Sequence, residues 1–287
     1  METNPHVLRD LIHLALLEDI GDGDHSSLSS VPANASKRAR LLVKQEGILA
    51  GVDVALVILA ETAAMYGHPA PEVEVLIQDG TRIKVGDIVL TIEANAQLIL
   101  KAERLLLNIM QRMSGIATYT REMVDIIGEL PVKLLDTRKT TPNFRLFEKM
   151  ATEIGGAVNH RMGLYDMIML KDNHVDYAGG VEAAITNARN YLDENGKNLK
   201  IEIETRNLKE VDEVLRIGKV DIIMLDNFSL EDMREAVRRI NGRYETEASG
   251  NITEKTLRAV AETGVSSISS GALTHQIQSL DLSLKAF

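Results

Sequence analysis

Three short segments in the second half of the chain carry clustered positive charge. The segment "DTRK" (136–139) follows the apolar run "VKLL", "NHR" occupies 159–161, and "KDNH" follows the apolar run "MIML". One such segment alone is usually a solvated loop, but three near the ends of apolar runs indicate a common site. The candidate cations are Arg138, Lys139, His160, Arg161 and Lys171.

A group of cations of this kind has a definite chemical use. Like charges that lie close together repel one another unless an anion lies between them. The planar guanidinium of arginine binds carboxylates and phosphates through paired hydrogen bonds. The sequence therefore predicts a small ligand with several negative groups. His160 is in addition a candidate general acid or base, although a lone histidine more often binds a ligand or packs.

Acidic residues end two other apolar runs. In "KIEIET", Glu202 and Glu204 alternate with isoleucine, so both point to the same face of a predicted strand. Glu204 lies nearer the carboxyl end and is the better ligand candidate, whereas a salt bridge to a nearby lysine is an equal alternative for Glu202. Asp226 ends the apolar run "DIIML". Carboxylates beside a bound phosphate typically hold Mg²⁺, so Glu204 and Asp226 are candidate magnesium ligands.

Two late loops have the composition of phosphate-binding turns. Ser249 and Gly250 follow an apolar run, and Thr253 marks the start of a predicted helix soon afterwards. Gly271 occupies a similar place in "SSGALTH". Backbone N–H groups at the start of a helix bind phosphate well. Ordinary turn chemistry explains either loop alone, but two such loops favour a phosphate site.

The elements that must position these residues alternate regularly. Six short apolar runs begin near residues 132, 165, 200, 220, 244 and 265, and helical patterns separate most of them. Alternating strands and helices predict a parallel sheet. In a parallel barrel the carboxyl ends of the strands open on one face, which would bring the cations and acids together. An open doubly wound sheet is the alternative, but the chain has no GxGxxG loop, so the barrel is favoured.

The first half of the chain has a different pattern. A helix is predicted over 6–20, followed by "EDIGDGDHSS", where a helix stop and a loop are expected, and then a small mixed α/β unit. A long helical pattern covers 98–128. Its apolar stripe leaves Arg104 on another face. The stripe comprises Ala102, Leu106, Ile109, Met113 and Ile116.

The composition limits the class of protein. The 287 residues include 32 Lys plus Arg and 42 Asp plus Glu, a net charge of −10, which disfavours general nucleic-acid binding. There is no cysteine, so disulfide and thiolate chemistry are excluded. Neither a signal-peptide pattern nor a long apolar stretch is found, so a cytoplasmic protein with no membrane partner is expected.

Eight segments resemble one family closely. They are "EDIGDGDHSS", "AERLLLNIMQRMSGIAT", "LLDTRKTTP", "GGAVNHRMGLYDMIMLKDNH", "IEIET", "DIIMLDN", "EASGNI" and "SGALTH". They span nearly the whole chain in family order, and residues 136–174 are the most specific. On these segments the chain resembles the quinolinate phosphoribosyltransferases, also called nicotinate-nucleotide pyrophosphorylases. One departure is "TPNFR", which stands where a Gly-Leu pair is usual.

The resemblance implies an α/β protein of two domains. The N-terminal α/β sandwich domain is placed at 1–113 and an incomplete α/β barrel of the TIM type at 114–273. The tail, about 274–287, is expected to pack back on the first domain. The resemblance also implies a homodimer whose active sites are shared, or a hexamer assembled from such dimers. Arg104 is then supplied by the neighbouring subunit.

The resemblance further implies roles for the site residues. Quinolinate would be bound by Arg104, Arg138, Lys139, His160, Arg161 and Lys171. Phosphoribosyl pyrophosphate would be bound by Lys139, Lys171, Asp172, Asn173, Glu204, Asp226, Ser249, Gly250 and Gly271. The catalytic set would be Lys139, Lys171, Glu204 and Asp226. Mg²⁺, shared with pyrophosphate, would lie on the last two, and no organic cofactor is expected.

The activity implied is a decarboxylating phosphoribosyl transfer. Quinolinate and phosphoribosyl pyrophosphate would give nicotinate mononucleotide, CO₂ and pyrophosphate, a step of de novo NAD biosynthesis. Nicotinate phosphoribosyltransferases and a molybdenum-operon paralogue are related alternatives, but the full set of cations favours a substrate with two carboxylates. A barrel aldolase with Lys171 as Schiff-base lysine, and a phosphate-binding module without catalysis, are alternatives of other classes.

Overall fold

The structure is a computed structural model that describes residues 5–287, so residues 1–4 of the predicted N-terminal domain lie outside the described residues. Nine elements precede the first strand of the parallel sheet. They are α1 (Pro5–Ile20), α2 (His25–Ser30), β1 (Ser36–Val43), β2 (Gly47–Ile48), α3 (Val52–Tyr66), β3 (Glu72–Val75), β4 (Arg82–Ile83), β5 (Ile88–Asn95) and α4 (Ala96–Ile127).

The remaining elements alternate between strand and helix for most of their length. They are β6 (Lys133–Leu135), α5 (Arg145–Gly155), β7 (Ile168–Leu170), α6 (Asp172–Ala178), α7 (Val181–Glu194), β8 (Ile201–Thr205), α8 (Leu208–Ile217), β9 (Ile222–Asp226), α9 (Leu230–Ile240), β10 (Glu245–Ser249), α10 (Glu254–Ala261), β11 (Ser267–Ser269), α11 (Ala272–His275) and β12 (Leu282–Ala286).

The first compact unit is a mixed α/β structure. It extends to Arg121 and also takes in Thr140–Gly156 and Gln276–Phe287. Its main sheet is antiparallel with the order β12-β1-β5-β3, and β2 pairs with β4 separately. The C-terminal strand β12 thus forms an edge of this sheet. Residue for residue, the pairing of β12 with β1 runs from Val43–Leu282 to Ala39–Ala286.

Aliphatic side chains form the core of this unit, as expected for a chain without tryptophan. On α4 the predicted stripe is confirmed: Ala102, Leu106 and Met113 are buried, and Arg104 is exposed on another face. α4 has 32 residues, yet neither it nor any other helix within 5–287 is long and apolar enough to cross a membrane.

One expectation about the first unit is only partly correct. The segment "EDIGDGDHSS" was expected to be a helix stop followed by a loop. α1 does end at Ile20, but His25–Ser30 forms the short helix α2. The side chain of Asp24 accepts a hydrogen bond from the Ser27 backbone N–H at 3.1 Å, and this cap satisfies a helix donor that would otherwise have no partner.

The second compact unit comprises Glu122–Lys139 and Ala157–His275 and contains the parallel sheet. All six predicted strands are present, in the order β6-β11-β10-β9-β8-β7. From β7 to β11 each strand lies next to the one that follows it in the chain, and the first strand, β6, lies beside the last, β11. This is the order of an incomplete barrel, in which the chain goes round the sheet once, and it lacks the reversal of strand order that marks a doubly wound sheet. The barrel is therefore confirmed.

The barrel is incomplete, as expected, because the sheet does not close between β6 and β7. At this seam the chain at Val158 makes a single parallel bridge to Leu135. The Val158 backbone N–H donates to the Leu134 carbonyl at 2.8 Å, and Asp136 N–H donates to the Val158 carbonyl at 3.3 Å. These bonds partly satisfy the open edge of β6.

The domain boundary predicted at residue 113 remains a prediction. α4 runs through it without a break, from Ala96 to Ile127. A boundary inside a continuous helix has no turn or linker in the sequence to mark it. The structure therefore offers no local feature at residue 113 by which such a boundary is recognised.

Candidate active site

The carboxyl ends of the six parallel strands surround one cleft of about 680 Å³. Ten of the predicted site residues line it. They are Arg138, Lys139, His160, Arg161, Lys171, Asp172, Glu204, Asp226, Ser249 and Gly250. The barrel topology thus brings together segments that are more than a hundred residues apart in sequence.

Three predicted site residues do not line this cleft. Gly271 is close to it, because a Cβ added at this glycine would lie 2.8 Å from Cδ of Lys139. Asn173 is exposed on α6, and its backbone N–H donates to Asp172 Oδ1 at 2.6 Å. Arg104 is exposed on α4 in the first unit.

The two arginines of the cleft lie near enough to influence each other. Burial lowers the pKa of Arg161 below its ordinary value, and the charge of Arg138 lowers it further. The Arg161 guanidinium donates from Nη1 to the Met167 carbonyl at 3.2 Å. Two guanidinium groups held in this way repel each other, and an anionic ligand between them would relieve the repulsion.

The two lysines of the cleft differ in their surroundings. Lys139 is exposed, and its backbone is held by Thr137 and Thr274: its N–H donates to Thr137 Oγ1 at 3.0 Å, and its carbonyl accepts from Thr274 Oγ1 at 2.8 Å. Lys171 Nζ lies 3.5 Å from Glu204 Oε2. The Lys171 side chain is 48% exposed, so it remains accessible to a ligand.

The acids of the cleft lie near one another. Burial raises the pKa of Glu204 above its ordinary value, and the charges of Asp226 and Asp172 add to the rise, while Lys171 opposes it. A cation between Glu204 and Asp226 would relieve this repulsion. Mg²⁺ prefers one or two carboxylates with water and phosphate oxygens as its remaining ligands, so these two residues fit such an ion.

Asp226 accepts a hydrogen bond from the first of two linked asparagine side chains. Asn227 donates from Nδ2 to Asp226 Oδ2 at 2.7 Å, and Asn251 donates from Nδ2 to Asn227 Oδ1 at 2.9 Å. Gly250 lies against this chain: its φ is +94°, and an added Cβ would approach Asn227 Oδ1 to 2.2 Å. Only glycine fits at this position without displacing Asn227.

A buried cluster of His160, Glu202 and Glu247 belongs to the same barrel. His160 Nε2 lies 3.0 Å from Glu202 Oε2 and 3.1 Å from Glu247 Oε2. The side chains of Glu202 and Glu247 are 0% and 1% exposed. Of the two alternatives for Glu202, the salt bridge to a nearby lysine is therefore wrong. Its strand is buried on both faces, and the partner within reach across the barrel is a histidine.

Eight residues that line the cleft were not among the predicted site residues. They are Asp136, Thr137, Met169, Met224, Asn227, Glu247, Asn251 and Ser269. The signal for Glu247 was present, because "ETEAS" alternates an acid with a second residue type just as "KIEIET" does. The two asparagines have positive φ, 55° and 51°, which only the backbone reveals.

This arrangement limits the chemistry. Cations at the ends of β6 and β7 meet carboxylates at the ends of β8 and β9 across one cleft. Such a site can hold a polyanion and, between its acids and that polyanion, a divalent cation. The fold and the cleft thus define a barrel protein for anionic small molecules.

Comparison with known proteins specifies the family. The family model described as quinolinate phosphoribosyl transferase, N-terminal domain, matches residues 24–114, and the C-terminal domain model matches 116–285. The chain is 44% identical over 293 residues to "Quinolinate phosphoribosyltransferase [decarboxylating] 2, mitochondrial" of Nicotiana glauca, covering 97% of this chain and 82% of that protein. The chain therefore belongs to the quinolinate phosphoribosyltransferase family.

Two further similarities agree with this assignment. A probable nicotinate-nucleotide pyrophosphorylase (carboxylating) of Synechocystis is 41% identical over 273 residues, which cover 94% of this chain and 89% of that protein. The crystal structure of NadC from Streptococcus pyogenes superposes with a TM-score of 0.91 at 38% identity, covering 99% of this chain and 98% of that one. The similarity thus extends through both domains.

Proposed function

We propose that this chain is a decarboxylating quinolinate phosphoribosyltransferase of de novo NAD biosynthesis. It joins quinolinate to phosphoribosyl pyrophosphate and releases nicotinate mononucleotide, CO₂ and pyrophosphate. The main observation in support is that Arg138, Arg161 and Lys171 line the same cleft as Glu204 and Asp226. Its cations suit a dicarboxylate, and its acids suit a phosphorylated sugar with a divalent cation.

In the proposed reaction the cations hold quinolinate by its two carboxylates. The substrate-binding set is Arg138, Lys139, Arg161 and Lys171, with Arg104 from a second copy, and His160 lies beside them in the cleft. The ring nitrogen attacks the anomeric carbon, and the bond from that carbon to pyrophosphate breaks. Because positive charge develops on the ribose in this step, the Glu204 carboxylate beside it stabilises the transition state.

Decarboxylation follows from the charge on the ring. Once the nitrogen is quaternary, the ring accepts the electron pair of the adjacent C–C bond as CO₂ leaves. A proton then replaces CO₂ at that carbon. Lys171 and Lys139 serve here by holding the remaining carboxylate and the phosphate, so that the ring stays in place while the bond breaks. The step needs no organic cofactor.

Magnesium is proposed at Glu204 and Asp226. The raised pKa of Glu204, caused by burial and then by its acidic neighbours, fits a site where a cation shares the carboxylates. When bound, Mg²⁺ neutralises the charge of the departing pyrophosphate. Asp226 is itself oriented by Asn227, whose amide donates to Oδ2 and leaves Oδ1 for another ligand.

The phosphate end of phosphoribosyl pyrophosphate is assigned to the loops after β10 and β11. Ser249 and Gly250 line the cleft directly, and Gly271 lies beside Lys139. Asp172 and Asn173, at the start of α6, lie next to Lys171 and are assigned to the same ligand. Backbone N–H groups with no side chain in front of them are suited to phosphate oxygens.

A homodimer with shared sites is also proposed. Arg104 is exposed on α4, and among residues 5–287 it makes no ion pair with a nearby acid. A cation free on the surface of one subunit is available to an anionic ligand in another. Assembly of such dimers into a hexamer, and a cytoplasmic location, are kept as predictions.

The test is an assay of purified protein with quinolinate labelled in the 2-carboxylate. Labelled CO₂ and nicotinate mononucleotide should appear in equal amounts when phosphoribosyl pyrophosphate and Mg²⁺ are present. EDTA should abolish both products and added Mg²⁺ should restore them, because the acids would otherwise repel pyrophosphate.

Other outcomes identify the alternatives. Turnover of nicotinate in preference to quinolinate would indicate a monocarboxylate enzyme and overturn the proposal. Trapping of a carbonyl substrate on Lys171 by borohydride would indicate an aldolase. Full activity in EDTA would leave the transferase assignment in place but remove magnesium from Glu204 and Asp226.

A further inference from the structure

His160 is held by contacts from three strands of the barrel. Its backbone N–H donates to Oδ1 of the buried Asp136, directly after β6, at 2.8 Å. Its Nε2 contacts Glu202 of β8 at 3.0 Å and Glu247 of β10 at 3.1 Å. The Arg161 backbone N–H donates to its Nδ1 at 2.7 Å. The side chain is only 6% exposed.

These contacts determine which ring nitrogen carries the proton. A nitrogen that accepts a hydrogen bond must offer a lone pair, so Nδ1 is unprotonated and the proton lies on Nε2. Burial opposes a charged ring, but the two glutamates raise the pKa of His160 to about 9, which would favour a second proton. The short contact from the Arg161 N–H favours the neutral ring over the doubly protonated ring, because a proton on Nδ1 would point at that N–H.

The two glutamates have no role in the proposed reaction as described above. Neither is exposed, and Glu202 does not line the cleft. Buried carboxylates are costly unless they are paired or hydrogen-bonded. In a barrel of this type the inner layers are usually filled by aliphatic side chains, so a His–Glu–Glu cluster at the floor of the cleft requires a reason.

We propose that Glu202 and Glu247 are positioning residues that act through His160, and that His160 supports Arg161 instead of donating a proton to the substrate. The glutamates hold Nε2, and Nδ1 in turn holds the backbone of Arg161. Nδ1 therefore accepts a hydrogen bond within the protein, and Nε2 is enclosed by the two carboxylates at 3.0 and 3.1 Å. Arg161 is kept with its guanidinium in the cleft, where its Nη1 is further fixed on the Met167 carbonyl. This inference rests on the proposed function in one respect, that Arg161 binds quinolinate.

The first measurement is independent of catalysis. Nitrogen-15 NMR of histidine-labelled protein without substrate distinguishes the two neutral tautomers and the charged ring. The chain has seven histidines, so the His160 signals are assigned by their loss in His160→Gln. We expect a protonated Nε2 and an unprotonated Nδ1 at neutral pH. A protonated Nδ1 in the wild-type protein would overturn the proposal, whether or not the protein shows turnover.

The second measurement separates positioning from folding. Glu247→Gln and Glu202→Gln should each raise KM for quinolinate about tenfold, while kcat and KM for phosphoribosyl pyrophosphate change little, because ground-state binding is what is disturbed. Glu245→Gln is the matched control, since Glu245 is exposed on the same strand β10. Unchanged KM for quinolinate in both glutamate variants would contradict the proposal.

A double-variant cycle tests the route through His160. If Glu247 acts through the ring, Glu247→Gln should change KM for quinolinate by less than about twofold in a His160→Ala background. Equal effects in both backgrounds would show that Glu247 acts by another route. Failure of the wild-type protein to release CO₂ from quinolinate would refute the proposed function, and the NMR result would still judge the His160 assignment.

Discussion

At the scale of single residues, the cleft gathers charges that repel one another. Arg138 and Arg161 lie close enough for one to lower the pKa of the other, and the acids around Glu204 raise its pKa together with burial. An anionic ligand would relieve the repulsion between the arginines, and a cation would relieve the repulsion between the acids. These charges therefore suit the polyanion and the divalent cation proposed above.

Arg138→Ala and Lys171→Ala are expected to impair catalysis without unfolding the protein. Each removes a charge-assisted hydrogen bond worth roughly 1.5–3 kcal/mol. If that bond is made in the transition state, kcat/KM should fall by about tenfold to more than a hundredfold. Steady-state kinetics and thermal melts measure the two effects. Lys197→Ala, in an exposed loop before β8, is the control, and near-normal turnover of either cleft variant would refute the assignment.

Gly250→Ala is expected to raise KM for phosphoribosyl pyrophosphate and to lower Tm. The new Cβ would lie 2.2 Å from Asn227 Oδ1, so the amide that orients Asp226 must move. Gly242→Ala is a matched control, because Gly242 also has positive φ but has nothing within 4 Å of an added Cβ. The control should show only the backbone strain, about 1 kcal/mol or more. Equal behaviour of the two variants would mean that the Asn227 contact has no role.

At the scale of elements, strand β8 explains how acids are brought beneath a cleft. All five of its residues are buried. Ile201 and Ile203 occupy one face of the strand, while Glu202 and Glu204 occupy the other. Glu204 lies two residues closer than Glu202 to the carboxyl end of the strand. Glu204 therefore reaches the cleft, whereas Glu202 lies a layer below and contacts His160.

The contact of α5 with α4 in the first unit depends on a small residue. A Cβ at Gly155 would lie 2.5 Å from Cβ of Thr120 and 2.7 Å from the Ala117 carbonyl. Gly155→Ala should therefore separate the helices and destabilise the protein by about 1–3 kcal/mol, as overpacking of a core typically does. Chemical denaturation measures the loss. An unchanged or raised stability, as expected from helix propensity alone, would show that the helices separate without cost.

At the scale of the whole molecule, the assembly determines whether one chain has a complete site. The residues that line the cleft, including ten of the predicted site residues, all belong to the barrel, and Arg104 belongs to the other compact unit. The proposed dimer supplies Arg104 of one copy to the cleft of another. If the site is shared in this way, activity should depend on dimer formation, so it should fall when the protein is diluted enough for the dimers to dissociate.

Mixing two inactive variants tests the shared site. Arg104→Ala and Lys171→Ala subunits, once exchanged, should form mixed dimers with one intact site and one site that carries both lesions, so activity should reappear. Lys139→Ala mixed with Lys171→Ala is the control: both lesions lie in the barrel, and every site keeps one of them. Confirmed exchange without recovery in the first mixture would place Arg104 in the site of its own chain.

Local patterns were sufficient for much of this protein. The six strands, the helices between them, and ten of the residues that line the cleft could be predicted, since hydrophobic periodicity and the polar ends of apolar runs are properties of neighbouring residues. The stripe on α4 and the outward Arg104 follow from the same periodicity. Net charge and the absence of cysteine limited the chemistry before any fold was known.

Other features were decided by the tertiary structure alone. The pairing of β6 with β11, which curls the sheet, and the cluster of His160 with Glu202 and Glu247 join segments that are far apart in the chain. Whether a buried acid meets a lysine, a metal or a histidine depends on which strands face each other across the barrel. Alternation within one strand indicates only the face on which the acid lies, because the partner is set by the curvature of the whole sheet.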